Sequence, residues 1–295
     1  SQGTSAGRKP GKCRKTAAHP RPDSGDVPPA RIKKTKMSDL PTVGEIYQFI
    51  NGFAPFDTAM DFDNCGLLAG SEKTEVKTVL LALDITPDVV YEAATYSAQL
   101  IVSHHPVIFN PLRALREGTA PYLLARYDIA AVCAHTNLDL SPKGVNASLA
   151  ARLGLKNVRM MKEYQHSGLA EALAGETERE YEPKEFAESV KSLLGCDGLF
   201  YTDGKRKITL AGLCSGAGSD CLYSAARYGC QAFVTGEAKH HQLIDAENLG
   251  VTMVVAGHYY TENVVIQPLM ERLQAKFPSV GFIRSRVSHC PAKYL

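Results

Sequence analysis

The sequence predicts an α/β protein of two layered lobes, and three observations carry that expectation. Short aliphatic and β-branched runs alternate with helical stretches of about 10–15 residues, the pattern of helices crossing over a substantially parallel sheet. The alternation runs twice, with a break near residue 165. The chain has 295 residues, 44% hydrophobic and 22% charged, enough apolar material for a core without disulfide or metal staples.

The first round begins after Met37. Thr42 is placed to cap a helix through EIYQFINGF. VKTVLLALD (76–84) is a buried strand, and TPDVVYEAATYSA (86–98) a helix with Thr86 as N-cap and Pro87 at its first position. QLIVS (99–103) and IAAVC (129–133) are short strands. A helix over 144–153 stops at Gly154. The second round has a helix over 183–195 and a strand over 207–214. A helix over 219–229, a strand over 231–235, a helix over 238–250 and a strand over 251–257 follow. The last element is a helix over 259–277, bent or interrupted near Pro268. This gives a first lobe over 37–165 and a second over 166–295.

Charge divides the chain further. Residues 1–36 hold ten Lys and Arg against two Asp (+8), five Pro and almost no large apolar side chain, so we expect a disordered basic extension. The remaining 23 basic and 29 acidic residues leave −6 on 37–295, which argues against a broad nucleic-acid-binding face. No run approaches the ~20 apolar residues of a membrane span. The N-terminus has no apolar signal region, so a cytoplasmic location is expected. None of the eight Cys forms a C-x-x-C pair, and several lie in apolar runs, as buried free thiols do. Asn146-Ala147-Ser148 matches a glycosylation sequon, which means little without an export signal.

Polar residues that can bind metal follow the predicted strands, where ligands collect in open α/β sheets. QLIVS is followed by His104 and His105. On a strand they would face opposite ways, but a turn at the strand end can bring both imidazoles to one cavity, one for each of two metals. Alternatively, one is a core residue and the other solvated. IAAVC is followed by His135 and Asp139. Asp139 can bridge two cations or cap a turn, and His135 can be a ligand, a donor to one, or a packing residue. VTMVVAG is followed by His258 and Glu262, which share a helix face at i, i+4 and can grip one ion or form an exposed pair. With His135 set aside, the segments together supply three His and two carboxylates, the stock of a dinuclear centre.

A rival set, Glu237 and His241, follows the strand at 231–235. Glu237 can instead serve as a general base or simply sit in a first helical turn. The glycine-bearing turn 212–218 follows a strand and precedes a helix, so its amides could hold a phosphate. It is neither a Walker A loop nor a dinucleotide fingerprint.

Residues 37–295 resemble the Nif-three-like family, also labelled type 2 GTP cyclohydrolase I homologues. The resemblance rests on FDNCGLLAG, LALDITPDVV, LIVSHHPVIF, AHTNLDLSPKGVN, GLCSGAGSD, FVTGEAKHH and AGHYYTEN, in that order. It implies two α/β lobes with a metal cleft between them, and a dinuclear centre on His104, His105, Asp139, His258 and Glu262. It also implies a ring-shaped homohexamer built from trimers. Many relatives have Trp where this chain has Phe62; the chain has no Trp at all, and the departure is expected to concern packing. The spacing matches the compact form without an inserted domain.

Two functions follow. One is a metal-dependent hydrolase acting on a nucleotide or related phosphorylated heterocycle. It would use two divalent ions (Zn, Mn, Fe, Ni or Co), with Glu237 or His135 moving protons. The other is a non-catalytic metal chaperone or oligomeric scaffold using the same ligands. A third, nucleic-acid binding, has only the basic segment in its favour.

Overall fold

In the computed structural model, residues 40–295 are described; the expected basic extension lies outside them. The first elements are helix α1 (Val43–Asn51), strands β1 (Gly66–Ala69) and β2 (Thr78–Ala82), helix α2 (Pro87–Thr95), strand β3 (Leu100–Ser103), helix α3 (Ala120–Tyr127), strand β4 (Ala130–Cys133) and helices α4 (Thr136–Leu140) and α5 (Val145–Arg152). Next come the hairpin β5 (Lys156–Glu163) and β6 (Ala170–Tyr181), helix α6 (Pro183–Leu194), strands β7 (Phe200–Tyr201) and β8 (Ile208–Leu213), and helix α7 (Leu222–Tyr228). The chain then forms strand β9 (Ala232–Thr235), helix α8 (His240–Asn248), strand β10 (Thr252–Val255), helices α9 (His258–Glu262) and α10 (Ile266–Lys276), and strand β11 (Gly281–Arg284).

Local chemistry explains the boundaries. Thr42 and Glu45 form a reciprocal capping box at the start of α1. Thr86 accepts from the Val89 amide and Pro87 opens α2. Gly195 ends α6 at φ +66°, a left-handed conformation that costs glycine little. The last expected helix is split. Pro268 lies in the first turn of α10, and Asn263–Val265 tightens into a 3-10 turn before it. The missing proline N–H and the ring's clash one turn back account for the break.

The helices cover two mixed sheets. The order of the first is β1-β4-β3-β2-β11, parallel except for β1. That of the second is β5-β6-β8-β9-β10-β7, with a parallel centre at β8, β9 and β10. Sheet membership does not follow a cut at residue 165: β5 already belongs to the second sheet, and β11 returns to the first.

Both faces of the central strands are buried, which explains their unbroken apolar runs. In β2, Val79 and Leu81 pack with α1 and α10, while Leu80 and Ala82 pack with α2 and α3. The second sheet repeats this, with Val234 on the α6 side and Phe233 on the side of α7 and α8. All seven described Cys are free, and five of them are buried. Asn146 is 2% exposed, its side chain bonded to the backbone of Glu171 and Ser215, so the sequon is shut inside the fold. No helix among the described residues is long and apolar enough to cross a membrane.

Candidate metal centre

Parallel strands end on the same side, so the segments beyond them are brought together. In the first sheet, Asp84 follows β2, His104 and His105 follow β3, and His135 follows β4, with Asp139 inside α4. The ladder continues past the strand ends: the His105 amide donates to Leu83 O at 2.9 Å and the Ala134 amide to Ser103 O at 2.9 Å. The second sheet does the same, Gly236 N donating to Gly216 O at 2.9 Å and Gly257 N to Gly236 O at 3.1 Å. Glu237, His258 and Glu262 are carried on these extensions.

Four imidazoles share one plan. Each Nδ1 is tied to an oxygen: His104 to Ala134 O at 2.9 Å, His105 to Asp84 Oδ1 at 2.7 Å, His135 to Asp63 Oδ1 at 2.7 Å, and His258 to Glu237 Oε1 at 2.7 Å. This leaves each Nε2 as the candidate ligand atom, and fixing a ring by its other nitrogen is what supports to metal-binding histidines do. Three overlapping groups have ligand atoms within 4.8 Å of one another: His104, His105 and His135; His105, His258 and Glu262; and His104, Asp139 and Glu262.

The donor set fits metal on a further test. His104 Nε2 and Asp139 Oδ1 are buried and have no hydrogen-bond partner. They stand 3.5 Å apart, and His104 Nε2 is 3.7 Å from Glu262 Oε2. Those separations are too long for hydrogen bonds but suit ligands each ~2.0–2.2 Å from one ion. Orphaned buried polar atoms are costly, and a shared cation would satisfy both. Glu262 Oε2 also lies 2.8 Å from His105 Nε2 and 3.0 Å from His258 Nε2, so one carboxylate touches three imidazoles.

The electrostatics follow from this crowding. Burial alone would lower the His105 pKa, but hydrogen bonds to Asp84 and Glu262 overcome it and raise it to about 10. Burial likewise opposes the charge on His258, and Glu262 and Glu237 raise it to about 9. Burial works against the Glu262 carboxylate too, yet the surrounding imidazoles hold its pKa well below the usual carboxylate range. Asp139 moves the other way: burial raises it, and its imidazole neighbours only partly offset this. Asp63 is lowered to about 2, since bonds from His135 and Thr136 outweigh its burial.

All five expected ligands therefore converge. His135 also enters the cluster, in the group with His104 and His105. Glu237 binds the outer nitrogen of His258 and so orients it. His241 is exposed and belongs to none of the metal-competent groups, so the rival set with Glu237 is not assembled. The turn 212–218 serves the site in another way. Its amides at Cys214, Ser215 and Gly216 are already bonded to Val234 O, Asn146 Oδ1 and Thr261 Oγ1. Gly216 lies at φ +57°, and a Cβ there would run into Glu262 Oε1 and come within 3.2 Å of His258 Nε2. The turn forms a wall of the centre.

Sequence reasoning missed the anchors Asp84 and Asp63. Phe62, expected to matter for packing, is 64% exposed in this chain, with its ring 6.5 Å from that of Phe109.

Fold and site together define a mixed α/β protein whose imidazoles and carboxylates form groups able to hold metal. The chain belongs to the Duf34/NIF3 (NGG1p interacting factor 3) family, whose model matches residues 41–291. It is similar to proteins called "GTP cyclohydrolase 1 type 2 homolog". The one from Clostridium perfringens is 29% identical over 260 residues, covering 86% of this chain and 99% of the relative. That from Clostridium acetobutylicum is 28% identical, covering 81% and 92%. Among solved structures, a Staphylococcus aureus hypothetical protein superposes with a TM-score of 0.79 at 28% identity, covering 87% of this chain and all of that one. A Bacillus cereus protein related to NIF3 reaches 0.81 at 23% identity with the same coverage and supports the fold.

Proposed function

We propose that the protein is a dinuclear metal-dependent hydrolase acting on a nucleotide or related phosphorylated heterocycle. The observation that carries this is the position of Glu262, common to the group with His104 and Asp139 and to the group with His105 and His258. Two ligand sets sharing one carboxylate suit a pair of ions. His135, turned inward by Asp63, completes the first-sheet side as a further ligand. Two divalent cations held there would supply Lewis-acid activation of a water and of the bond it attacks.

The protein's own groups do the rest. Asp84, Asp63 and Glu237 keep three imidazoles in the tautomer that presents Nε2. Glu237, with a side chain 58% exposed, is also the carboxylate best placed to pass a proton to solvent. The relatives' name, "GTP cyclohydrolase 1 type 2 homolog", favours a nucleotide among the substrates to screen.

The test is metal analysis of the protein purified without chelator, followed by a turnover screen over nucleotides and phosphodiesters. Hydrolysis that depends on bound metal and vanishes in Asp139→Ala is expected. Full activity in that variant ends the proposal, and tight, reversible metal uptake with no turnover anywhere in the panel would favour a metal chaperone or scaffold.

A further inference from the structure

We propose that Phe62 and Phe109 form the surface on which the planar ring of the substrate lies, beside the metal centre. Both side chains are exposed, 64% and 45% respectively. Their rings stand 6.5 Å apart and tilt by 48°, forming an open corner rather than a closed stack. Phe109 also meets the His135 ring edge-on, with centroids 6.4 Å apart at 83°. His135 in turn shares a metal-competent group with His104 and His105. The apolar corner is therefore continuous with the inner imidazoles.

The two rings are held in place. Asp63, next to Phe62, accepts from His135 at 2.7 Å and from the Thr136 hydroxyl at 2.6 Å. Asn64 donates to the carbonyl of Ile108, next to Phe109, at 2.5 Å. Each aromatic thus hangs one residue from a fixed anchor, and one of those anchors also orients a metal-competent histidine. Two phenyl rings offer no hydrogen bond, so they would recognise a flat ring by its π face. A heteroaromatic ring resting on Phe109 would have its edge or substituents at the His135 side of the centre. That geometry suits a small planar ligand: a protein surface laid on the same corner would cover the approach to His135.

The inference rests on the proposed action on a nucleotide or related heterocycle, but it is tested by binding, not turnover. The metal-loaded full chain is titrated by calorimetry with guanosine 5′-monophosphate and with ribose 5-phosphate, which keeps the sugar phosphate and lacks the ring. The nucleotide is expected to bind about ten-fold tighter or more, the usual weight of one stacked base. The preference should collapse toward one in Phe109→Ala and fall several-fold in Phe62→Ala. Phe109→Tyr, which keeps the ring, should retain it. Metal content and melting temperature should stay at wild-type values in all three, because the altered side chains are exposed.

Equal binding of the two probes by the wild type overturns the inference. So does a preference that survives both alanine variants. Alanine variants that change the sedimentation of the assembly while the ring preference stays intact would assign the corner to subunit contact instead. If no substrate turns over but ring preference is lost in the variants, the hydrolase reading fails and the stacking surface stands. If turnover persists without ring preference, only the stacking surface fails.

Discussion

The two halves of the candidate centre are built differently. The half around His104 and His135 is enclosed: His104 is fully buried and anchored by a backbone carbonyl, and the side chain of Asp63, which anchors His135, has no exposed surface. The half around His105 and His258 is open, with the anchors Asp84 and Glu237 47% and 58% exposed. Glu262 belongs to both, buried at 5% and touching imidazoles from each side. A buried ligand with a fixed anchor loses little freedom on binding, whereas an exposed one must be ordered and stripped of water. The enclosed half should therefore hold its ion more tightly, and the open half should exchange its ion more readily.

The strongest way to break that contrast is to remove the shared group. On the proposed dinuclear reading, Glu262→Gln should release both ions, measured by metal content after desalting. Retention of a full complement would show that the halves do not share this carboxylate. Next in size, His104→Ala and His258→Ala should differ: the first should empty the enclosed half, while the second should keep one tightly held ion through a chelator titration. The reverse order would overturn the comparison.

Anchor variants come third. Asp63→Asn and Asp84→Asn should each weaken metal binding by about 10–100-fold, the usual cost of losing an orienting carboxylate. Glu237→Gln should cost less, since Glu237 is the most exposed of the three anchors. Gly216→Ala tests the wall: its methyl group collides with the Glu262 carboxylate, so affinity should fall by at least about ten-fold while the fold is retained.

The smallest effect is on pH dependence. In the metal-free protein, His105 and His258 have pKa values raised from 6.5 to about 10 and about 9. The stability they contribute is complete below their unfolded value and is lost as pH rises through 9 and 10. Glu262 is depressed from 4.5, so its contribution is present above that value and lost as pH falls below it. Thermal melts of chelated protein should therefore show an alkaline loss that metal-loaded protein, whose ligands are already deprotonated, lacks. Metal uptake near neutral pH should also release protons from these imidazoles, and apparent affinity should rise toward pH 9–10.

The elements that were readable in the sequence had strong local causes. Thr42 with Glu45, and Thr86 with Pro87, fix helix starts by chemistry confined to a few residues. The unbroken apolar runs of β2, β3 and β4 mark strands covered on both faces. The β5–β6 hairpin carries no clear strand signal in the sequence, because β5 is KNVRMMKE, mostly exposed, and its pairing is broken by register shifts that spoil a two-residue alternation. Helix α3 and strand β11 are short and likewise lack a long periodic signal.

For the centre, the residue types and their places just after buried strands were set by the chain alone, because parallel strands bring their ends to one side whatever the remaining details. The anchors were not, because a carboxylate that steadies an imidazole follows no fixed spacing. Asp63 lies 72 positions from His135, while Asp84 lies 21 from His105. Nor could the sequence show that the Gly216 turn presses against Glu262, or that Phe62 and Phe109 stand bare beside His135. Those relations join segments from distant parts of the chain, and only packing in three dimensions decides which distant segments touch.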